Sequence, residues 1–371
     1  MLVKHICSAT PKTGEVGIEI EVEGSNLPAS PVGWKKVSDG SLRGESCEYV
    51  LKTPCARGSV KKYLDRMKEA NEASNFEFRY STRQSIHVHV NVQELNLVQL
   101  YNFITLFLIF ESELVRWCGE DREHNLFCLQ TKDAEGLIST LEKAATPKTY
   151  HLLSTDSIRY SALNISSIYK FGSLEFRSMR GTDDYLMIQR WIDILLNIKD
   201  VALTYESPID IVEDVSLLGV ERFALKVLGE ENIDLVHDVQ SIMEGARQLQ
   251  TMAYTGDWVG MQAIKERQTN FNIPGGIFGT TTHATDWNTS APTAADRLNA
   301  LTASLEERED REDDDEEWTD FEDEEDEGEE EEGRNYVSGI DVDRAIEQMR
   351  LNRLRREQIQ AVVEMPQEEN F

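Results

Sequence analysis

The hydrophobic and polar residues of segment 17–24 alternate without a break. Isoleucine or valine fills every second position, and the positions between them hold Glu19, Glu21 and Glu23. Strand side chains point to opposite faces in turn, so the pattern predicts a strand with one face for burial and one face with carboxylates about 6.6 Å apart. Such a row favours a Mg²⁺ site, and a solvated strand face explains it equally well.

Further segments predict other strands of the same sheet. Alternation predicts strands at residues 47–52, 85–92 and 174–178, and another strand is expected at residues 159–167. Each of the three alternating segments has an apolar face and a polar face, which suits a sheet with one side packed on a core. The side chains expected on the polar face, besides the three glutamates, are Glu48, Ser85, His87, His89, Asn91, Glu175 and Arg177.

A period near 3.6 residues predicts helices elsewhere in the chain. Apolar residues recur at helical spacing in segment 60–73, and segment 97–118 is apolar on most sides, which predicts a central helix. Asp183 is the expected N-cap of a helix over residues 184–205, and helical segments continue to about residue 268. The other expected features are a short strand before residue 11, a polar loop at 25–46 and a short helix at 134–145.

Together these elements predict an α+β domain over residues 1–265, with helices packed on one face of an antiparallel sheet. No Gly-rich loop joins a strand to a helix, so the sequence gives no support for a P-loop or dinucleotide fold. Residues 266–301 are rich in Gly, Thr, Asn and Pro and predict a linker. Residues 302–335 predict a disordered acidic tail, and residues 336–371 predict a short helical segment.

Charge and composition narrow the possible functions. The chain of 371 residues has a net charge of −30, and 21 acidic residues and two arginines lie between residues 306 and 332. This charge argues against general nucleic-acid binding, because a surface that follows phosphates needs positive charge. The longest apolar run, residues 103–110, is too short to span a bilayer, and no secretory signal is recognisable. Five cysteines without a C-x-x-C pair predict free thiols in a reducing cytoplasm.

The order of the motifs resembles the amidoligase family, which is related to glutamate–cysteine ligase and more distantly to glutamine synthetase. The resemblance covers about residues 15–183, and it implies a glutamine synthetase-like sheet. Family members occur in phages and bacteria, which implies the host cytoplasm for a phage-encoded chain. The motifs that carry the resemblance are Gly17-Ile-Glu-Ile-Glu-Val-Glu23, Trp34, Asp39-Gly-Ser-Leu, Glu48, His87-Val-His-Val-Asn91, Arg159-Tyr, Asn164, Leu174-Glu-Phe-Arg-Ser and Gly181-Thr182.

The resemblance implies an ATP-dependent carboxylate–amine ligase that uses Mg²⁺. Such an enzyme activates a carboxylate as an acyl phosphate, and an amine then attacks to give an amide, ADP and phosphate. It leaves open the acid, the amine, and whether the acid belongs to a free amino acid, a peptide or a protein. The implied metal ligands are Glu19, Glu21, Glu23, Glu48 and Glu175, with Asp39 as a further ligand or substrate contact. The implied catalytic residues are Arg177, His87 and His89. The implied nucleotide contacts are Arg177, Arg159 and Asn164.

Two other classes of function fit the same residues. His87, His89 and a glutamate match the ligands of a transition-metal enzyme. A non-catalytic virion or interaction protein is the third interpretation, in which the acidic tail binds a basic protein or maintains solubility. His124 and Asn125, in the loop predicted at residues 119–133, receive no role.

Overall fold

A seven-stranded open sheet is the centre of the fold. The structure, a computed structural model, describes residues 1–8, 13–134, 136–154 and 160–264. The strands are β1 (Val16–Ser25), β2 (Trp34–Val37), β3 (Ser46–Leu51), β4 (Glu77–Phe78), β5 (Ser85–Asn91), β6 (Leu163–Asn164) and β7 (Ser173–Arg180). All pairs are antiparallel, in the order β2-β3-β1-β5-β7-β6, and β4 pairs with the end of β1. The short strands β2 and β6, of four and two residues, form the edges.

Helices bury the apolar face of this sheet, which confirms the predicted α+β class with an antiparallel sheet. The helices are α1 (Val60–Ser74), α2 (Leu97–Cys118), α3 (Leu137–Ala144), α4 (Ser167–Phe171), α5 (Tyr185–Ala202), α6 (Pro208–Leu218), α7 (Val220–Leu228), α8 (Val239–Thr255) and α9 (Trp258–Ala263). Phe103 and Phe107 of α2 pack on Phe176 of β7, with ring centroids 5.6 and 4.7 Å apart. The helix begins at Asn96, whose side chain and that of Gln99 form a capping box.

Helix α2 is also long and apolar enough to cross a membrane, and it is the one such helix in the described part of the chain. Its most apolar window is 89% buried within the protein. Neighbouring elements already cover a helix in this position, so α2 is a core helix of the kind predicted from its all-round hydrophobicity.

All five cysteines are free, as their spacing predicts. Cys118 and Cys128 are fully buried, and burial raises the pKa of both thiols. Because the thiolate is the reactive form, these two residues are core side chains rather than nucleophiles.

The structure corrects two predictions in the first 50 residues. Val3–His5 form a 3-10 turn instead of a strand, and Leu2 makes a single bridge to Asn96. The predicted loop at 25–46 contains strand β2, in which Trp34 is buried against the core and donates a hydrogen bond to Tyr63. Turn-forming residues on both sides conceal this four-residue strand in the sequence.

Two further predictions need correction near β6 and α5. The strand expected at residues 159–167 is shorter than predicted: in its described part, Leu163–Asn164 pair with β7, Ser161 makes an isolated bridge to Leu129, and α4 starts at Ser167. Asp184 caps α5 instead of Asp183, since its Oδ1 accepts from two N–H groups of the first helical turn. Arg159, the linker at 266–301, the acidic tail at 302–335 and the segment at 336–371 lie outside the described residues.

A β-bulge in β7 adjusts which side chains face the core. Ile86 pairs with Met179, whereas Val88 pairs with Phe176, so β7 has one more residue than β5 between these two pairs. The extra residue returns Met179 to the buried face, and Arg177 remains on the opposite face beside the other polar side chains.

Candidate functional site

The polar face of the sheet brings together side chains from five strands. Glu21 of β1 lies opposite Glu48 of β3, so these carboxylates come close although residue 48 is far along the chain. On the other side of β1, Glu19 lies opposite His87 of β5. In the next pair of strands, His89 lies opposite Glu175 of β7, which in turn lies opposite Asn164 of β6.

Three groups of side chains on this face have donor atoms within 4.8 Å of one another. Each group holds two or three carboxylates, and carboxylates at this spacing repel each other unless a cation or a proton lies between them. The first and second groups share no residue, and the third joins them. The groups are Glu19, His89 and Glu175 in the first, Glu21, Asp39 and Glu48 in the second, and Glu19, Glu48 and His87 in the third.

Ser85 fixes the orientation of His87. The Ser85 backbone N–H and hydroxyl both donate to Glu21, at 2.7 and 2.6 Å. Because its hydroxyl proton is committed to Glu21, Ser85 Oγ accepts from Nε2–H of His87 at 2.7 Å. This assignment leaves Nδ1 of His87 facing Glu19, at 3.1 Å, and Glu175, at 3.8 Å. His87 therefore presents one ring nitrogen to the carboxylates.

His89 is arranged in the same way by a second serine. Its Nδ1 lies 3.1 Å from Ser173 Oγ, and its Nε2 lies 3.3 Å from Glu19 Oε1 without a well-aligned hydrogen bond. Nε2 is buried and has no hydrogen-bond partner among the described residues. A metal-binding histidine commonly has one nitrogen held by a neighbouring group and the other directed at the metal. Both histidines of this face have that arrangement.

The pKa values of two glutamates move in opposite directions. Burial, followed by the negative charges of Glu19 and Glu21, raises the pKa of Glu48 to about 8. Burial also raises the pKa of Glu19, but contacts with His87 and His89 outweigh it and hold that pKa well below its usual range. One carboxyl of the face therefore retains its proton near neutral pH while its neighbour is ionised.

Glu175 is ionised and held on two sides. Burial raises its pKa, but the charges of His89, His87 and Arg177 are stronger together and lower it. Arg177 Nη1 donates to Glu175 Oε1, and Asn164 Nδ2 donates to Glu175 Oε2 at 2.7 Å. Arg177 and Asn164 are the two predicted nucleotide contacts in the described region. Both therefore contact Glu175, a predicted metal ligand, and Asn164 orients its carboxylate.

Glu23 differs from the other glutamates of β1. Its Oε1 accepts from the backbone N–H of Arg43 at 3.0 Å, and its Oε2 accepts from Arg79 at 3.2 Å. Glu23 belongs to none of the three donor groups found among the described residues. Its contacts are those of a structural ion pair that anchors the loop before β3.

Sequence reasoning missed a cluster of arginines beside the second donor group. Three guanidinium groups contact carbonyl oxygens of the turn 40–43: Arg43 contacts Gly40 and Leu42, Arg79 contacts residue 43, and Arg83 contacts Ser41. Asp39 of the donor group directly precedes this turn, and its Oδ1 accepts from Ser41 N–H at 2.6 Å. Arginine donors at this position suit an anion such as phosphate. The signal in the sequence is the pair of arginines in Arg79-Tyr-Ser-Thr-Arg83, directly before β5.

Three other residues considered from the sequence have different surroundings. Asn91 Nδ2 donates to Gly14 O at 2.7 Å and lies at the far end of β5. Asn125 donates to Thr82 O at 2.8 Å, and His124 is exposed. His124 belongs to no donor group found in the described ranges.

The donor set fits a hard divalent cation. The second group consists of carboxylates alone, which is the ligand type of Mg²⁺, Ca²⁺ and Mn²⁺. The first group adds the buried, unpartnered Nε2 of His89 to two ionised carboxylates, Glu19 and Glu175. Buried acidic and histidine side chains of this face can therefore hold a metal ion.

A comparison with protein-family models gives no match for the chain, and a comparison with curated protein sequences gives none either.

Proposed function

We propose that the protein is an ATP-dependent carboxylate–amine ligase of the cytoplasm, built on a glutamine synthetase-like sheet. The observation that carries the proposal is the pair of donor groups that share no residue, Glu19–His89–Glu175 and Glu21–Asp39–Glu48, side by side on one buried polar face. Two cation sites beside arginine side chains are typical of enzymes that catalyse phosphoryl transfer, in which catalysis is mostly positioning and charge neutralisation.

The residues that would hold the cations follow from the geometry. Each of these two donor groups would bind one Mg²⁺, which would neutralise charge on the phosphates of ATP and on the carboxylate under activation. The guanidinium groups of Arg43 and Arg83 each donate a hydrogen bond to a carbonyl oxygen of the turn 40–43. Each guanidinium has further N–H donors that suit phosphate oxygens. The nucleotide phosphates would therefore lie at the end of the face nearest Asp39.

Arg177 and His87 have distinct roles in this proposal. The substrate carboxylate attacks the γ-phosphorus and releases ADP, and Arg177 binds the transferring phosphoryl group with its planar guanidinium. The amine nitrogen then attacks the acyl carbon, and phosphate leaves with the electron pair of the broken C–O bond. His87 accepts the proton that the amine loses, and the hydrogen bonds from His87 through Ser85 to Glu21 provide a path for it.

The arrangement of the histidines favours this function over a transition-metal enzyme. A mononuclear site with two histidines and a carboxylate needs both histidines at one ion. In the described residues, His87 and His89 belong to different donor groups, and each group that contains a histidine contains two carboxylates. Metal analysis of the purified protein separates the two functions, because a transition-metal site retains Fe, Mn or Zn.

Binding of a non-hydrolysable ATP analogue tests the proposed function without knowledge of the substrates. We expect calorimetry to show binding that requires Mg²⁺. Arg177→Ala should weaken it about tenfold to a hundredfold, because the variant removes a charge-assisted contact worth about 1.5–3 kcal/mol. Glu175→Gln should weaken the Mg²⁺ dependence, since it keeps the size of the side chain and removes its charge.

The matched control is Arg247→Ala. It removes the same charge from an exposed position on α8, where Arg247 pairs with Glu244, and it should bind the analogue like the wild type. No binding of the analogue to folded wild-type protein at millimolar concentration would contradict the proposed function.

Metal affinity should rise with pH up to about pH 8. A cation at Glu48 must displace the proton that this carboxyl holds below its pKa of about 8. Burial lowers the pKa of His89, but contact with Glu19 and the charge of Glu175 outweigh burial, so the pKa is raised overall. Protonated His89 therefore also opposes metal binding at low pH. We therefore expect Mg²⁺ affinity to increase by up to about tenfold per pH unit for each proton displaced, and the contribution of Glu48 to level off above pH 8.

Calorimetry at pH 6, 7, 8 and 9, in buffers of different ionisation enthalpy, measures both the affinity and the protons released. Glu48→Gln should give a smaller slope, because the contribution of His89 remains. An affinity that is constant between pH 6 and pH 8 would show that Glu48 does not contact the ion.

A further inference from the structure

A cleft of about 110 Å³ lies beside the first donor group. It begins at Gly17 of β1, where the alternation of the strand would otherwise place a side chain on the polar face, two residues before Glu19. Val50 and Pro54 line one side, and His89 and Phe171 line the other.

The absence of a side chain at Gly17 creates this cleft. Gly17 is not among the residues with positive φ, so its backbone conformation does not require glycine. A Cβ at this position would lie 3.3 Å from Cβ of His89, which is a tight contact. A side chain at position 17 would therefore press on His89 and project into the space of the cleft.

The lining of the cleft is partly apolar and partly polar. Val50, Pro54 and Phe171 supply the apolar part, and Phe171 is unusual because 46% of this aromatic side chain is exposed. Its ring meets that of His89 edge to face, with centroids 5.5 Å apart. Glu19 and His89, both members of the first donor group, supply the ionisable part, and Asn91, Gln93 and Ser173 add uncharged polar groups. A ligand that fits has a short apolar part and a polar head.

The volume limits the size of that apolar part. A cavity of about 150 Å³ lined by apolar side chains accepts benzene, and a water molecule takes about 30 Å³ in the liquid. The cleft therefore has room for a group of about four or five non-hydrogen atoms, which is the size of a small amino-acid side chain or a short acyl chain.

We infer that the cleft binds the short apolar part of the acid substrate and places its carboxylate at the cation that Glu19, His89 and Glu175 would hold. The inference rests on the proposed ligase function for the fate of that carboxylate, and it adds the class of the acid: a short-chain carboxylic acid or a small amino acid. The carboxylate then lies at the first donor group, within reach of Arg177, which contacts Glu175. Gly17 is the residue that determines the length of the acid.

The test is binding of butyrate, valerate and decanoate to the full-length protein in Mg²⁺ buffer, measured by calorimetry. We expect butyrate and valerate to bind more tightly than decanoate, and to bind more weakly without Mg²⁺. Gly17→Ala should weaken butyrate binding several-fold, and Gly17→Val at least tenfold, because the added methyl groups fill the cleft.

Gly58→Val is the matched control. A Cβ at Gly58 meets nothing within 4 Å, and its φ is not positive, so this variant should bind the acids like the wild type. Equal binding of butyrate by the wild type and both Gly17 variants would overturn the inference. Metal-independent binding of n-butylamine that displaces butyrate would also overturn it, since the head group would then be an amine.

The same samples are titrated with the non-hydrolysable ATP analogue. Analogue binding by a Gly17 variant shows that it is folded. If the analogue binds but acid binding does not depend on Gly17, the inference about the cleft is overturned and the proposed function stands. If the wild-type protein does not bind the analogue, the proposed function is overturned.

Discussion

Glu19→Gln should weaken Mg²⁺ binding more than any other single substitution on the polar face. Glu19 belongs to two of the three donor groups, and its pKa lies well below the usual range, so it is ionised at all working pH values. The substitution keeps the shape of the side chain and removes this charge from both groups. We expect the affinity to fall by about a hundredfold, the upper end of losses seen when groups around a metal are changed.

Electron paramagnetic resonance with Mn²⁺ as the probe measures this affinity directly. Glu45→Gln is the control, because Glu45 is exposed and lies outside the three donor groups although it is only three residues from Glu48. A decrease in Glu19→Gln no larger than that in Glu45→Gln would show that the polar face does not bind a cation through Glu19.

Phe176→Ala should lower the free energy of unfolding by about 3–5 kcal/mol, the usual cost of removing a buried aromatic ring from a core. Phe176 is fully buried between Phe103 and Phe107 of α2. It also lies between Glu175 and Arg177 in β7, so the cavity it leaves should disturb the neighbouring site residues as well.

Urea denaturation measures this change. Leu217→Ala removes an apolar side chain that is 69% exposed on α6, and it should change the free energy of unfolding by less than about 0.5 kcal/mol. If the two variants were equally stable, the packing of α2 on β7 would not contribute as the structure indicates.

The sequence predicts the elements best where the periodic pattern is long. Strand β1 and helix α2 follow their patterns closely, because eight alternating residues or 22 mostly apolar residues leave little ambiguity. Strand β2 has only four residues between turn formers, which is too short to show a clear alternation of apolar and polar residues. Two consecutive aspartates precede α5, and the choice of Asp184 as cap depends on backbone geometry that composition does not reveal.

The candidate site is predictable as a face but not as a set of contacts. Alternation places Glu19, Glu21 and Glu23 on one side of β1, but it does not give the register with the neighbouring strands. The register brings Glu21 to Glu48, while Glu23 instead meets Arg79, which is 56 residues away. Long-range pairing of this kind decides which carboxylates share an ion.

The roles of the small polar residues are the least predictable part of the site. Ser85 orients His87, and Ser173 orients His89, through single hydroxyl contacts. A serine on a strand is common, and its importance here depends on a neighbour brought close by folding. Gly17 is similar, since the sequence shows a glycine and only the structure shows the cleft beside it.

The short edge strands bear on how the protein behaves at high concentration. An exposed strand edge offers unpaired N–H and C=O groups to another molecule, and long, flat edges promote aggregation. Among the described residues, the edges of this sheet are β2, with four residues including two lysines, and β6 and β4, with two residues each. None of them offers a second sheet more than a few hydrogen bonds, and the lysines of β2 repel a like edge. The sheet therefore resists edge-to-edge association between copies of the chain.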